Sequence, residues 1–353
     1  MDVSRITTGS SNTVDSKEIG EYPFFDRSQT IKRSDKYLFD SEAIIVPGEG
    51  SDFIPRYFKG KFDLHQRAYA LFPRENIDGK YLYYAILNNK KHFSQVATGS
   101  TVKSLRLKSF ELLKIPYVDA DIQIRISTIL SSIDDKIAIN KQINANLSNQ
   151  ARVAFSSLME TADLSKAVLS EVADITMGQS PPGESLSEDC AGTLFYQGRA
   201  EFGEIFPTPR LYTSEPKRMA SKRSVLMSVR APVGDINLAL DECCIGRGLS
   251  SIQSNEGLSG YVHYLMDYLK PQLDIFNGDG TVFGSINKES VNNLEILIPS
   301  KEDREKFDKL ATAIDAIIEL NHREILKLQE FRDYLLPKLM SGEIDVSDLP
   351  LPN

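Results

Sequence analysis

The residue types that most often carry catalysis or metal binding are sparse in this 353-residue chain and do not fall into working arrangements. The four histidines, His65, His92, His263 and His322, are scattered, with no His-Glu-x-x-His pair and no cysteine pair beside them. Cys190, Cys243 and Cys244 give an odd count with two adjacent members, which builds neither a disulfide framework nor a metal-ligand spacing. Serines are numerous, but no Gly-x-Ser-x-Gly elbow holds one. Asp134 and Asp135 are neighbours in a helical pattern and face different ways, so they are not a poised carboxylate pair. Thr98-Gly99-Ser100 and Gly278-Asp279-Gly280 are glycine turns without the following Lys-Ser or Lys-Thr of a phosphate loop. Pro181-Pro182 follows Gln-Ser and precedes Gly, so it lacks the Asn/Asp-Pro-Pro-aromatic stretch of an amino-methyltransferase. These absences point to a chain that is not catalytic by itself.

What remains is the chemistry of recognition. Lys32, Arg33 and Lys36 sit together, and Arg56, Lys59 and Lys61 surround Gly60 in what reads as a loop. The second half carries Gln197, Arg199, Arg210, Lys217, Arg218, Lys222, Arg223 and Arg230, with few acids between 205 and 235. Arg and Lys pair with phosphates or guanine edges, and Gln with adenine. Each such group taken singly is more often solvated surface. Gln179-Ser180, on a Gly-Pro loop, fits contact with DNA and closure of a turn equally, and Arg67 and Arg247 fit structural ion pairs. A net charge of -8 argues against a simple nucleic-acid binder, although the acids gather at helix ends, on helix surfaces and near the C-terminus.

Composition sets the frame for these groups. Hydrophobic content of 41% and charged content of 25% are those of a soluble globular protein, and the length allows two domains with cores of their own. No run approaches the roughly 20 apolar residues of a membrane span. The start, MDVSRITTGSSNT, lacks the basic-then-apolar pattern of a signal peptide, so a cytoplasmic protein is expected.

Two stretches must position the recognition groups. Ile126, Leu130, Ile133, Ile137, Asn140, Asn144 and Leu147 recur at four-then-three spacing, free of Pro and Gly. Phe307, Ala311, Ile314, Ile318, Asn321, Ile325, Leu328, Arg332, Leu335 and Leu339 repeat the pattern near the C-terminus, with Asn321 in the register of Asn140. Such stripes ask for a partner helix, and the shared register predicts that they pair as a coiled coil. A seam asparagine costs stability but tolerates only alignments that give it a hydrogen-bonding partner. Around the stripes the chain duplicates itself. Strand-like runs and a helical segment, Gly79–Asn89, lead through Thr101-Val102 and an expected strand at Glu111–Ile115 to Pro116. The second half repeats this with a helical segment at Gly260–Tyr268. Arg67 aligns with Arg247, Tyr81 with Tyr261, Tyr84 with Tyr264 and Thr101-Val102 with Thr281-Val282 at an offset of 180, while the long stripes align at 181. Asp119 or Asp121 is expected to cap the first long helix, Ser300 with Asp303 the second, and Gly342 to end it after a possible kink at Pro337. The expected organisation is α/β (α+β mixed): a domain over 1–118, a helix over 119–162, a second domain over 163–299, a helix over 300–342 and a tail over 343–353, with pseudo-twofold antiparallel helices.

This plan, with the strings TMGQSPPG, SVRAPVGDINLA, CIGRGLSSI, NGDGTVFGSINKESVNNLEILIPS and LLPKLMSGEIDV, resembles the specificity subunits of type I restriction–modification systems over nearly the whole chain. The resemblance implies two target-recognition domains, each reading one half of a bipartite DNA sequence, and helices that act as a ruler for the unread spacer. About 38 helical residues at 1.5 Å each span on the order of 55 Å. It implies modification subunits that bind S-adenosylmethionine and restriction subunits that use ATP and Mg, with no cofactor in this chain. Asp134, Asp135 and Glu319 would then suit a protein interface. The first half departs from the second in lacking the lead-in LSKAVLSEV; either the start is shortened or GEIDVSDLP docks beside the N-terminus and completes that layer. A stand-alone or methylation-only specificity protein and a coiled-coil scaffold without a DNA role stay open as readings. Against a single-chain enzyme with fused recognition domains stand the missing methyltransferase and nuclease motifs.

Overall fold

The computed structural model describes residues 3–278 and 284–350, and the chain divides into two compact units, residues 1–139 with 324–353 and residues 140–323. The expected repeat at Thr281-Val282 lies outside the described residues. Unit 1 begins with β1 (Ser4–Thr8), β2 (Tyr22–Phe25), β3 (Lys32–Ser34), β4 (Phe39–Pro47), β5 (Arg56–Leu64) and β6 (Ala68–Pro73). Helices α1 (Gly79–Asn88), α2 (Lys90–Val96), α3 (Leu107–Glu111) and the long α4 (Ala120–Thr161) follow.

The six strands form one sheet in the order β1-β6-β4-β5-β2-β3. The continuous apolar run Ala43-Ile44-Ile45-Val46 follows from its place inside that sheet. Ile44 and Val46 face one cluster with Leu71, Leu82 and Ile86, while Ala43 and Ile45 face another with Phe25, Phe62 and Phe72. A strand covered on both faces reads as an uninterrupted run rather than an alternation. Helix α1 is likewise apolar on two sides: Leu82 and Ile86 meet the sheet, and Tyr81, Tyr84 and Ala85 meet Ile126, Leu130, Leu336 and Leu339. Asp78 caps it by accepting from the Tyr81 N–H at 2.7 Å.

Two expectations fail in this unit. Gly60 with Arg56, Lys59 and Lys61 lies within β5 and not in a loop; Gly60 takes φ +128 opposite Ser41, a conformation in which glycine keeps the strand paired. No strand forms at Glu111–Ile115, where α3 ends and the chain runs on unpaired.

Unit 2 adds β7 (Ser165–Val168), β8 (Ala173–Met177), β9 (Leu186–Ser187), β10 (Thr193–Tyr196), β11 (Leu211–Thr213) and β12 (Met219–Ala220). Then come β13 (Val225–Ser228), β14 (Ile236–Leu238), β15 (Cys243–Ile245), β16 (Leu249–Ser254), α5 (Ser259–Tyr268), α6 (Lys270–Leu273), α7 (Lys288–Asn292), β17 (Glu295–Ile298) and α8 (Lys301–Ser341). Its sheets run β12-β15-β10-β11-β9, β14-β13-β16-β8 and β17-β7. Here the strand before the last helix does form, because β7 supplies its antiparallel partner. At the corresponding place in unit 1 the described residues of the tail, with Asp345, Asp348 and Pro350, make no strand, but Val346 is buried among Tyr81, Leu130 and Leu339. The tail therefore docks on unit 1 as a plug and not as a sheet edge.

Helices α4 and α8 are shared between the units and run antiparallel within each. In unit 1, Ile133 and Ile137 pack with Ile325, and Leu328 and Leu335 lie half-buried beside them. Lys136 meets Glu324 at 3.7 Å and Asp134 meets Arg332 at 2.8 Å. In unit 2, Ile314 and Ile318 are buried, Leu147 is half-buried, and Asn321 Nδ2 donates to Asn144 Oδ1 at 2.8 Å. Asn144, not Asn140, is thus the partner of Asn321, and Asn140 is buried nearby in the chain with a contact of its own. Ser300 and Asp303 cap α8 as expected, the helix passes through Pro337 without ending, and Gly342 at φ +76 closes it.

Each unit ties its helical segment to the long helices by the same bond. Tyr84 donates its hydroxyl to Asp134 at 2.7 Å, and Tyr264 to Asp315 at 3.0 Å. Burial first, and then the facing carboxylate, hold both phenols far above their ordinary titration range. Asp134 also takes Arg332, so it serves unit 1 internally and not an outer acidic surface; Asp135 alone of the two stays exposed.

Candidate nucleic-acid interface

Strand pairing in the two units gives an alignment independent of sequence. Thr8 faces Tyr69 and Pro47 faces Ala68 in unit 1; Met177 faces Ser250 and Ser228 faces Leu249 in unit 2. The hydrogen bond from His65 N–H to Phe25 O at 2.9 Å recurs as Gly246 N–H to Tyr196 O at 2.8 Å. The paired turn bonds Ala68 N–H to His65 O and Leu249 N–H to Gly246 O are both 3.0 Å. Around β5 and β15 the true offset is therefore 181, one more than the sequence match of Arg67 with Arg247 implied. Arg247 occupies the place of Gln66, and Gly248 that of Arg67.

Both units thereby build one end from three loops: after Gly9 or Gly178, after β2 or β10, and between β5–β6 or β15–β16. The loops are drawn together by backbone contact that only glycine permits. A Cβ on Gly9 would stand 1.8 Å from Leu64 O, and one on Gly178 would stand 2.1 Å from Gly246 O. The loops are further bonded by Gln66 N–H to Ser11 O at 2.9 Å in unit 1 and Gln179 N–H to Ile245 O at 2.9 Å in unit 2.

The side chains on this common base differ. In unit 2 the exposed Gln197 Nε2 donates to Ser180 Oγ at 3.1 Å, and the Arg247 backbone N–H reaches the same hydroxyl at 3.3 Å. Gln179 stands exposed beside them, and the Arg247 side chain is exposed with no ion pair among the described residues. Ser180 thus closes the turn and orients Gln197 at once. In unit 1 a cleft of about 410 Å³ is lined by Asn12, Arg27, Glu49, His65, Gln66 and Arg67 among others. Glu49 receives Arg67 Nη1 at 2.8 Å and Arg27 Nη1 at 3.5 Å, and Gln66 donates to Asn12 Oδ1. His65 Nδ1 accepts from the Arg67 N–H at 3.1 Å, which makes it the unprotonated nitrogen. Burial accordingly holds its imidazole below the ordinary range. Asn12, Arg27 and Gln66 were missed by sequence reasoning.

Most of the expected basic residues also make contacts within the fold. Lys32 pairs with Asp26 at 2.8 Å and Lys36 with Asp15 at 3.5 Å. Asp26 stays below the usual carboxylate range because, although burial opposes its charge, the Lys32 ammonium and Ser28 outweigh it. Arg33 donates to the carbonyls of Gly20 and Glu21 at 2.9 and 2.8 Å, and Arg56 to that of Ser28. Arg199 pairs with Asp235, Arg210 with Glu201 at 3.2 Å and Lys217 with Glu215 at 3.7 Å. Lys222 and Arg223 clamp Glu319 of α8 at 2.7 and 3.3 Å, and Glu319 is buried, so it does not form the outer acidic surface expected of it. Within 205–235 Glu215 serves Lys217, while the partners of Arg210, Lys222 and Arg223 are supplied from outside that stretch. Lys59, Lys61, Arg218 and Arg230 remain exposed without an acid partner among the described residues, Lys61 lying over the Tyr37 ring at 4.8 Å. No group of three or more potential metal ligands occurs among the described residues, and no described helix is long and apolar enough to cross a membrane.

Residues 2–149 and 169–330 match the family model described as the type I restriction modification DNA specificity domain. The chain is 33% identical over 317 residues, 82% of its length and 74% of the relative's, to the MjaX specificity subunit of Methanocaldococcus jannaschii, assigned to a type I restriction enzyme. It is 20% identical over 93% of its length, and 85% of the relative's, to the type I restriction enzyme MjaIX specificity subunit of the same organism. The fold is that of the type I restriction–modification S subunit of M. genitalium, with a TM-score of 0.62 at 18% identity over 98% of this chain and 95% of that one. The chain belongs to the type I restriction-modification DNA specificity family and carries its specificity domain twice.

Proposed function

We propose that the chain is the non-catalytic, DNA-reading subunit of a cytoplasmic type I complex, and that the three-loop end of each unit meets one half of a bipartite target. The recurrence of one loop framework with different exposed side chains carries this reading: a shared frame keeps the docking geometry, and altered side chains alter the sequence read. Gln179, Ser180, Gln197 and Arg247 in unit 2, and Asn12, Arg27, Gln66 and Arg67 in unit 1, are the base-reading candidates. Lys59, Lys61, Arg218 and Arg230 are candidates for phosphate contact.

The helices α4 and α8, of 42 and 41 residues, would set the unread spacer. Modification subunits carrying S-adenosylmethionine and restriction subunits carrying ATP and Mg would supply the chemistry and positive charge that a chain of net charge -8 lacks. Selection from a random duplex library by the chain co-purified with its methyltransferase subunits tests this. Two short sequences at a fixed separation, lost steeply as salt rises, are expected. A complex that enriches no sequence, with affinity indifferent to salt, is a scaffold and not a reader.

A further inference from the structure

The two loop ends differ most at one pair of positions. Strand register places Glu49 opposite in role to Arg230, each two residues beyond the strand pairs Pro47–Ala68 and Ser228–Leu249, and places Arg67 in the position of Gly248. Unit 1 therefore holds a carboxylate and a guanidinium where unit 2 holds a guanidinium and no side chain. We propose that Arg67 reads a guanine in the major groove and that Glu49 is the residue that positions it, so that the half-target of unit 1 contains an obligatory guanine. This rests on the reading that the three-loop ends face DNA.

Arg67 is fixed at both ends of its side chain. Its backbone N–H is held by His65 Nδ1 at 3.1 Å, and its carbonyl accepts from Gly48 N–H at 2.9 Å. At the far end one Nη1 is held by Glu49 at 2.8 Å, while the side chain as a whole keeps 59% of its exposure. One of its five N–H donors is engaged by Glu49, and the side chain stays largely exposed. The carboxylate is only 14% exposed and faces two guanidiniums, Arg67 and Arg27, so the pair of cations exceeds the anion that serves them.

A surplus of oriented N–H donors seeks the base edge with two acceptors side by side. In the major groove only guanine, with O6 and N7, presents that edge; adenine offers one acceptor beside a donor, and cytosine a donor. A phosphate contact needs charge but no fixed fork. Holding the guanidinium before binding removes the rotamer entropy that an unsupported arginine would lose on contact. In unit 2 the amide of Gln197 and the hydroxyl of Ser180 meet at this end, and neither Arg230 nor Arg247 has an acid partner among the described residues, so the same requirement does not extend to its half-target.

The test is library selection by the complex of the full chain with its methyltransferase subunits, using wild type, Arg67→Gln and Glu49→Gln. Wild type is expected to enrich a guanine at one position of one half-target. Arg67→Gln should lose preference there by about tenfold to a hundredfold and keep its selection at the other positions of the same half-target, which shows that unit 1 of the variant still folds. Glu49→Gln should weaken the same preference and leave the other half-target intact. Replacing that guanine by 7-deazaguanine, which lacks the N7 acceptor, should lower wild-type affinity and leave Arg67→Gln unchanged. An Arg67→Gln variant that selects as wild type overturns the proposal, as does one that binds every sequence less tightly with a shallower salt slope, since that marks a phosphate contact. A wild-type complex that enriches neither half-target removes the DNA-reading assignment itself, and this proposal with it.

Discussion

Replacing Asn144 with alanine removes from the seam of unit 2 an amide that donates to the Ile318 carbonyl at 3.3 Å and accepts from Asn321 Nδ2 at 2.8 Å. Each bond contributes about 0.5–1.5 kcal/mol net of its exchange with water. The half-buried Asn321 amide is then left without its acceptor, which adds about 1 kcal/mol. The expected loss is therefore about 2–4 kcal/mol. Asn144→Leu together with Asn321→Leu removes donor and acceptor at once, and an apolar pair of similar volume costs about 0–1 kcal/mol or stabilises. Urea unfolding of the full chain by far-UV circular dichroism, run as a double-mutant cycle, should give a coupling of about 1.5 kcal/mol or more. A single alanine variant that loses under about 0.5 kcal/mol, the scatter of ordinary surface changes, would refute the reasoning. So would a double-leucine variant as unstable as its two single changes summed.

Three further outcomes are expected. Gly9→Ala should abolish selection of one half-target and Gly178→Ala that of the other, because each added Cβ meets a carbonyl oxygen in its own unit; library selection reads this, and loss of both by either variant would contradict separate loop ends. Arg332→Ala should destabilise unit 1 by about 1–3 kcal/mol, since Asp134, only 28% exposed, keeps Tyr84 alone as partner, and Asp134→Asn in that background should restore part of the loss in thermal unfolding. His65 is neutral when folded and its imidazole sits below the ordinary value of about 6.5, so folding binds fewer protons than unfolding there. Its contribution is complete above that ordinary value and is lost as pH falls from it through the lower folded value, with Asp26 and Glu49 opposing the shift and Arg67 and Arg27 adding to it. Stability of unit 1 measured from pH 7.5 to 5 (roughly the window in which histidine titrates) should fall more steeply for wild type than for His65→Asn; parallel curves would count against it.

Much of the frame was legible because periodicity records it. The tyrosines of α1 and α5 and the long stripes keep their spacing through the duplication, since each must meet the same neighbours: Tyr84 with Asp134, Tyr264 with Asp315. The recognition groups were less legible for two physical reasons. Charge partners come from distant segments, as when Glu319 takes Lys222 and Arg223, so a local count of acids misjudges which cations are free. Short loops hide one-residue shifts, and the pairing of Arg67 with Arg247 looked sound until strand register moved Arg247 onto Gln66. Gly60 was misread for a third reason: a positive-φ glycine signals a turn in sequence, yet inside β5 it sits within a paired strand. Asn140 and Asn144 lie one turn apart on a single stripe, and spacing alone could not choose between them as the partner of Asn321.

Unit 1 is made from the two ends of the chain, residues 1–139 and 324–353, while unit 2 is the contiguous stretch 140–323. On the ribosome this reverses the usual order of completion. The 184 residues of unit 2 must be synthesised before the part of α8 from residue 324 can return, which at cellular rates takes on the order of 10–40 s. Through that interval Tyr81 and Tyr84 of α1 and Ile126 and Leu130 of α4 have each other but no Leu336, Leu339 or Val346 to cover them. The part made first is thus the last to close, and a nascent chain halted before residue 324 presents a finished unit 2 beside an open, sticky unit 1.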